Sequence, residues 1–194
     1  AGAWNVSKEK FFKVDFINSL KLRAGWGKTG NSEFPSGSAQ FRYSFPNGTP
    51  SLSAANFANP DLKWQSDRQY NVGLDVAVLN NRVTLTADYF NKKTTDLLFP
   101  SEILNPPPPG SAITWKNLAG NVVNKGFEFA VNASVLRNKD FSLDLGVNAT
   151  FVKNEVSGLP APLNTGALNG QGITGTTVEV IKNGLPINAF YNKN

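Results

Sequence analysis

The feature that most constrains this 194-residue chain is a two-residue hydrophobic period sustained over unusually long runs. In 19–29, Leu20, Leu22, Ala24 and Trp26 fall on one side and Lys21, Arg23, Gly25 and Gly27 on the other. In 67–79, Tyr70, Val72, Leu74, Val76 and Val78 oppose Asn71, Gly73, Asp75 and Ala77. Val83, Leu85, Ala87 and Tyr89 then alternate with Thr84, Thr86, Asp88 and Phe90. Phe127, Phe129, Val131, Ala133 and Val135 alternate with Glu128, Ala130, Asn132 and Ser134. Phe141, Leu143, Leu145, Val147, Ala149 and Phe151 alternate with Ser142, Asp144, Gly146, Asn148 and Thr150. Successive side chains on a strand point to opposite faces, so this pattern specifies strands rather than helices. The expected class is all-β, with five long antiparallel strands.

The turns test the pairing. A two-residue turn at Asn80-Asn81, whose positive φ angles asparagine tolerates, sets Val78 opposite Val83 and Val76 opposite Leu85. It also sets Leu74 against Ala87 and Val72 against Tyr89, so every apolar residue meets another. A three-residue turn at Arg137-Asn138-Lys139 pairs Val135 with Phe141, Ala133 with Leu143 and Val131 with Leu145. A slip by one residue would invert both faces.

The runs extend to roughly 11–13 residues, against about 5–6 in soluble sheets and about 9–11 for a tilted strand crossing a bilayer. The tight turns share one end of the strands. The connections at the other end span 30–66, 96–120 and 154–194, or 37, 25 and 41 residues. Long strands with short turns on one side and long loops on the other match an outer-membrane barrel. A soluble β-sandwich with its loops gathered at one end is the rival. Five strands do not close, since a small barrel needs about eight, and an open edge in lipid leaves backbone groups unpaired. On the membrane reading, 1–194 is therefore part of a single larger barrel domain whose remaining strands lie outside it. No basic n-region and apolar core open the sequence, so no signal peptide is expected in these residues.

Composition removes whole classes of chemistry. With no Cys and no His there is no disulfide, zinc finger, thiolate nucleophile or Ser-His-Asp triad. No metal site, cofactor or catalytic residue is expected, and no enzymatic role. Mean hydropathy is −0.26, and no run of about 18 apolar residues offers a transmembrane helix. Only 17% of residues are charged, against about 25% in soluble domains. The net charge of +5 is scattered, without a basic stripe interleaved with stacking aromatics, so no nucleic-acid partner is expected.

Several motifs resemble one family. Leu20-Lys21-Leu22-Arg23-Ala24-Gly25-Trp26-Gly27-Lys28-Thr29-Gly30-Asn31 is similar to the "LKLRASYGxTGN" strand of SusC/RagA-type TonB-dependent outer-membrane transporters. Asn59-Pro60-Asp61-Leu62-Lys63-Trp64 followed by Asn71-Val72-Gly73-Leu74-Asp75 resembles "NPxLKWE…NxGLD". Leu79-Asn80-Asn81-Arg82 and the run Asp88 to Leu98 resemble "NNRxxxxxDYYNKxTxDLL". Asn124-Lys125-Gly126-Phe127-Glu128 is similar to "NKGxE", and Gly184 to Tyr191 to "GxPIGxFYGY". Asn188 and Asn192 stand where the family usually has Gly. The motifs keep family order across nearly the whole chain. The resemblance implies a barrel of about 22 strands in the bacterial outer membrane, surrounded by membrane lipid. It further implies an N-terminal plug reached by TonB, a SusD-like surface lipoprotein, and glycan or peptide cargo. Plug and TonB box are not among these residues.

Other motifs have plainer readings. Gly170-Gln171-Gly172-Ile173-Thr174-Gly175 spells a dinucleotide fingerprint but lacks a following helix, so it reads as a flexible loop. Asp75, Asp88, Glu128 and Asp144 lie on polar faces. The pairing sets them beside Thr86, Gly73, Asn148 and Asn132, so no two form a glycosidase pair. Asn47-Gly48-Thr49 and Asn148-Ala149-Thr150 are chance sequons, and Pro106 to Pro109 is a stiff brace. Phe45, Trp64, Phe99, Trp115, Phe190 and Tyr191 fall in the long loops, where aromatics stack on sugars, pack loops or sit at the membrane interface. None is singled out, and the substrate-binding residues are unknown from sequence.

Two functions follow. In one, the segment is wall and loop of a nutrient importer. In the other, it is a structural or assembly subunit of a larger outer-membrane complex, because loops of 37 and 41 residues become ordered only by packing on something. The face assignment has its own test. Leu74→Arg, on the apolar face, is expected to cost about 2–4 kcal/mol in barrel unfolding, and Asp75→Asn much less. Equal losses in denaturant titration would contradict the faces.

Overall fold

The computed structural model describes residues 1–33, 35–44, 53–102, 113–170 and 173–190. In chain order the strands are β1 (Gly2–Asn5), β2 (Ile17–Asn31), β3 (Arg42–Ser44), β4 (Ser53–Asn56), β5 (Gln65–Val78), β6 (Val83–Thr95) and β7 (Leu98–Glu102). They continue as β8 (Ile113–Asn117), β9 (Asn121–Arg137), β10 (Ser142–Ser157), β11 (Leu163–Gly170), β12 (Ile173–Ile181) and β13 (Ala189–Phe190). One six-stranded sheet runs β1-β2-β5-β6-β9-β10. Its five long members, β2, β5, β6, β9 and β10, have 15, 14, 13, 17 and 16 residues. Each alternating run is thus a strand, extended by a few residues beyond its strictly alternating part. The short β1 was not anticipated. It pairs antiparallel with β2, placing Trp4 opposite Leu22.

The chain divides into two compact units. The first contains Ala1–Lys28, Arg68–Lys93 and Val123–Glu155. Its turn between β5 and β6 spans four residues, 79–82, with Leu79, Asn80 and Asn81 all left-handed (φ 55°, 56° and 62°). Asparagine adopts this conformation readily, and leucine does so only when its surroundings hold it there. The expected register survives the longer turn, because Asp88 occupies the space over Gly73.

The second hairpin departs from expectation. Its turn is 138–141, held by the Asn138 side chain, which accepts from the N–H groups of Asp140 (3.1 Å) and Phe141 (2.8 Å). The Ser134 hydroxyl donates to Asp144, and the Asn132 amide oxygen lies 2.8 Å from where a Cβ on Gly146 would be. Pairing is therefore displaced by two residues from the expected one, and Asp144 lies beside Ser134 instead of Asn132. A shift of two leaves every side chain on its own face, which is why hydrophobic alternation did not detect it.

The apolar face of this unit is uncovered. Val147 is 71% exposed, Phe151 65% and Leu145 54%, and Leu22, Val72, Phe127 and Val131 are exposed as well. A soluble sandwich would bury this face. Five rings cross it from β5 to β10: Tyr70, Tyr89, Phe127, Phe129 and Phe151, with successive centroids 6.3, 5.0, 6.2 and 6.5 Å apart. Exposed Phe141 lies ten residues before Phe151 on the same face. At about 3.4 Å per residue and a tilt of about 40°, these aromatics bracket a band of about 25 Å, the height of an outer-membrane barrel's apolar belt.

The second unit contains Thr29–Asp67, Thr94–Val122 and Val156–Asn194. The expected long loops carry structure of their own: a four-stranded sheet β3-β4-β8-β7 and a three-stranded sheet β11-β12-β13. Val122, Val156, Leu159 and Ile181 form a small buried cluster with Leu97, Leu118, Leu163 and Ile187 against it. The Asn183 side chain clips the backbone of Leu159 at both its N–H (2.9 Å) and its carbonyl (2.8 Å). Asn188, at the family's usual glycine, has φ 56°, a left-handed position that Asn tolerates. Gly170 pairs with Ile173, and the residues from Ile173 onward are strand β12 rather than the helix a dinucleotide site would need. Gln171, Gly172, Phe45, Asn47, Pro106 to Pro109, Tyr191 and Asn192 lie outside the described residues.

Gly126 provides a test of the wall. A Cβ there would collide with the Phe151 carbonyl oxygen and stand 3.0 Å from the Phe90 ring. Because one obstacle is backbone, the strain has little relief. Gly126→Val is expected to destabilise by about 1–3 kcal/mol or more, read as a lower midpoint in urea unfolding, whereas Gly2→Val, with open space around it, should be near neutral.

Candidate functional site

The polar face of the first unit carries the densest chemistry. Arg23 on β2 lies beside Gly73 on β5, and Gly73 lies beside Asp88 on β6. Because Gly73 has no side chain, the guanidinium extends across the middle strand. A Cβ at 73 would be 2.7 Å from the guanidinium carbon. Arg23 Nε donates to Asp75 Oδ2 at 2.8 Å, while Nη2 donates to Asp75 Oδ1 at 2.9 Å and to Asp88 Oδ2 at 2.8 Å. The bidentate fork to Asp75 is the geometry at which arginine outperforms lysine. One cation thus ties three adjacent strands. The motif Asn71-Val72-Gly73-Leu74-Asp75 reads physically as a trough and an acceptor flanking an apolar outward residue.

The expected pairing of the acids holds, with Asp88 beside Gly73, and the structure adds that Asp75 and Asp88 share Arg23. The arrangement still does not resemble a glycosidase pair, since both carboxylates are occupied by the guanidinium rather than presented across an open gap. Asp144 is taken up by Ser134, and Glu128 lines a concavity of about 550 Å³ together with Arg23, Asn71, Asp88, Phe90 and Lys92. Phe90 places an apolar ring among these charges, a combination suited to a solute with polar edges and an apolar face. Among the described residues no group of three or more acidic residues is arranged to hold a metal ion.

Of the loop aromatics, Trp64 is 69% exposed and Phe190 is exposed, whereas Phe99 borders an apolar recess with Leu118, Leu159 and Leu163. Trp115 contributes its carbonyl, which accepts from the Asn59 amide at 2.7 Å. Asn117 locks the Asn59–Trp64 motif in place. It accepts from the Lys63 N–H (2.7 Å) and donates to the carbonyls of Lys63 (2.8 Å) and Asp96 (2.9 Å). A polar groove of about 500 Å³ lies beside it, lined by Asp61, Lys63, Asp96, Thr114 and Lys116. Sequence reasoning missed this groove, because it joins side chains separated by some 50 positions with no shared motif.

Comparison with known proteins agrees with the geometry. Residues 4–181 match the family model described as TonB dependent receptor-like, beta-barrel. The chain belongs to that family. It is 33% identical over 97% of its length to the TonB-dependent receptor SusC of Bacteroides thetaiotaomicron, and 36% identical over 81% to TonB-dependent receptor P3 of Formosa agariphila. Its fold superposes on the RagAB peptide transporter with a TM-score of 0.79 over 97% of the chain, at 22% identity. The resemblance to SusC/RagA-type receptors is borne out. The chain spans 20% of SusC and 16% of P3. In this family the six-stranded sheet is a section of transmembrane barrel wall.

The triad sets a graded expectation. The three side chains are 21–35% exposed, so Asp75→Asn should cost only about 0.5–1 kcal/mol. Arg23→Met strands two carboxylates and should cost about 1–3 kcal/mol. Gly73→Val, which fills the trough, should resemble Arg23→Met. The order is checked by urea midpoints of the three variants, and Asp75→Asn proving the worst would contradict the shared-cation geometry.

Proposed function

We propose that this chain is wall and loop of a TonB-energised outer-membrane importer of peptides or glycans that acts with a SusD-like surface lipoprotein and performs no chemistry on its cargo. The observation that carries the reading is the uncovered apolar face, bounded by aromatics about 25 Å apart and backed by a charged, glycine-troughed opposite face. Membership of the TonB-dependent receptor family supports the energy source. Likeness to a structure named as a peptide transporter and to SusC supports the cargo class. The tight turns then face the periplasm, and the long connections with their polar groove face the exterior. The remaining strands belong to the same barrel domain, and the plug is a separate domain.

The test uses the full-length receptor purified from outer membranes. It is expected to co-purify with a surface lipoprotein and to carry peptide or glycan detectable by mass spectrometry. Its deletion should abolish growth on that nutrient class. Purification alone, without lipoprotein or cargo, and with growth unaffected by deletion, would instead favour the structural or assembly role.

A further inference from the structure

The connection from β1 to β2 is built unlike the two tight turns. It spends residues 6–16 where four suffice elsewhere. Val6 is buried at the start of a 3-10 turn, Val6–Lys8. The N–H groups of Glu9, Phe12 and Ile17 then donate to the carbonyls of Val6 (3.0 Å), Glu9 (3.0 Å) and Val14 (3.2 Å), so the chain winds through successive turns.

Where it lies follows from Trp4. Trp4 pairs with Leu22, which places its indole on the outer apolar face. The indole N–H donates to Glu9 Oε1 at 2.9 Å, and the Phe11 ring stands tilted 6.3 Å away. The connection therefore folds back over the lipid-facing side instead of crossing the polar side. Phe11 is 68% exposed and Phe16 is exposed, with Lys8, Lys10 and Lys13 exposed around them. The segment sets Lys8, Lys10 and Lys13 against Glu9 and Asp15, with the Glu9 carboxylate tied back to the indole. The neighbouring tight turns add exposed Arg82, Arg137 and Lys139 against Asp140.

We propose that residues 6–16 form an interfacial anchor for anionic phospholipid headgroups in the leaflet at the turn end of the barrel. Phe11 and Phe16 enter the acyl boundary, and Lys8, Lys10 and Lys13 reach the phosphates. Lipid is the occupant because the segment continues the lipid-facing surface and, with the neighbouring turns, carries a net positive charge opposite to the headgroups'. The inference rests on the membrane reading above.

The test is carried out on the full-length receptor. Wild type and a K8Q/K10Q/K13Q variant are reconstituted in vesicles of phosphatidylethanolamine, with or without one quarter phosphatidylglycerol. They are then extracted, and retained lipid is counted by native mass spectrometry. Wild type should retain phosphatidylglycerol in preference to phosphatidylethanolamine. The variant, with unchanged heat-modifiable mobility as evidence of a folded barrel, should lose that preference by about fivefold or more at low salt. Equal retention in the two proteins overturns the anchor, as does displacement of the lipid by equimolar inorganic phosphate, which would mark a generic anion site. A receptor that inserts into both vesicles without preference removes the anchor alone. One that inserts into neither removes the membrane reading and the anchor with it.

Discussion

The wall of this protein depends on backbone hydrogen bonding where no water is available to substitute for it. In hydrocarbon an unpaired amide or carbonyl costs several kcal/mol, so a spanning strand is viable only between two partners. That constraint sets strand length and antiparallel order, and it makes the sheet a portion of a closed surface. Side chains are then freed from the usual task of building a core. Among the described residues the buried apolar side chains are few: Val6, Ala77, Val122, Val156, Leu159, Val180 and Ile181. Four of them form the small cluster of the second unit.

The hydrophobic effect works here in the reverse of its soluble sense. On the proposed reading Leu145, Val147 and Phe151, all exposed, face lipid, while charges and glycines line the opposite face. The same two-residue period therefore appears as in a soluble sheet, but with its meaning inverted. Strand length and the aromatic brackets decide between the two, because both measure bilayer thickness.

This explains what the sequence revealed. The five long strands and their faces were legible because apolar residues recur at every second position along each run, with Ala77, Phe90 and Ala130 as apolar exceptions on the opposite side. The first hairpin's register was legible because Asn80-Asn81 marks its turn. The second was misjudged by two residues because its decisive contacts are polar: Asn138 capping the turn, Ser134 on Asp144, and Asn132 over Gly146. A hydrophobic pattern contains no information on an even-numbered slip. Short strands such as β1, β3 and β4 escaped because 3 or 4 residues carry no period. The Arg23 triad was half legible. All three residues were placed on the polar face, but the reach of Arg23 across Gly73 requires knowing which residues stand in one row.

The glycine trough also shapes the polar surface of the wall. A guanidinium lying flat in a groove one strand wide projects less than one standing upright, and Phe90 likewise lies against Gly126. The polar face is thereby left flush at the level where its charges concentrate. For the importer proposed above, cargo would meet a smooth, alternately signed pavement rather than a thicket of protruding side chains.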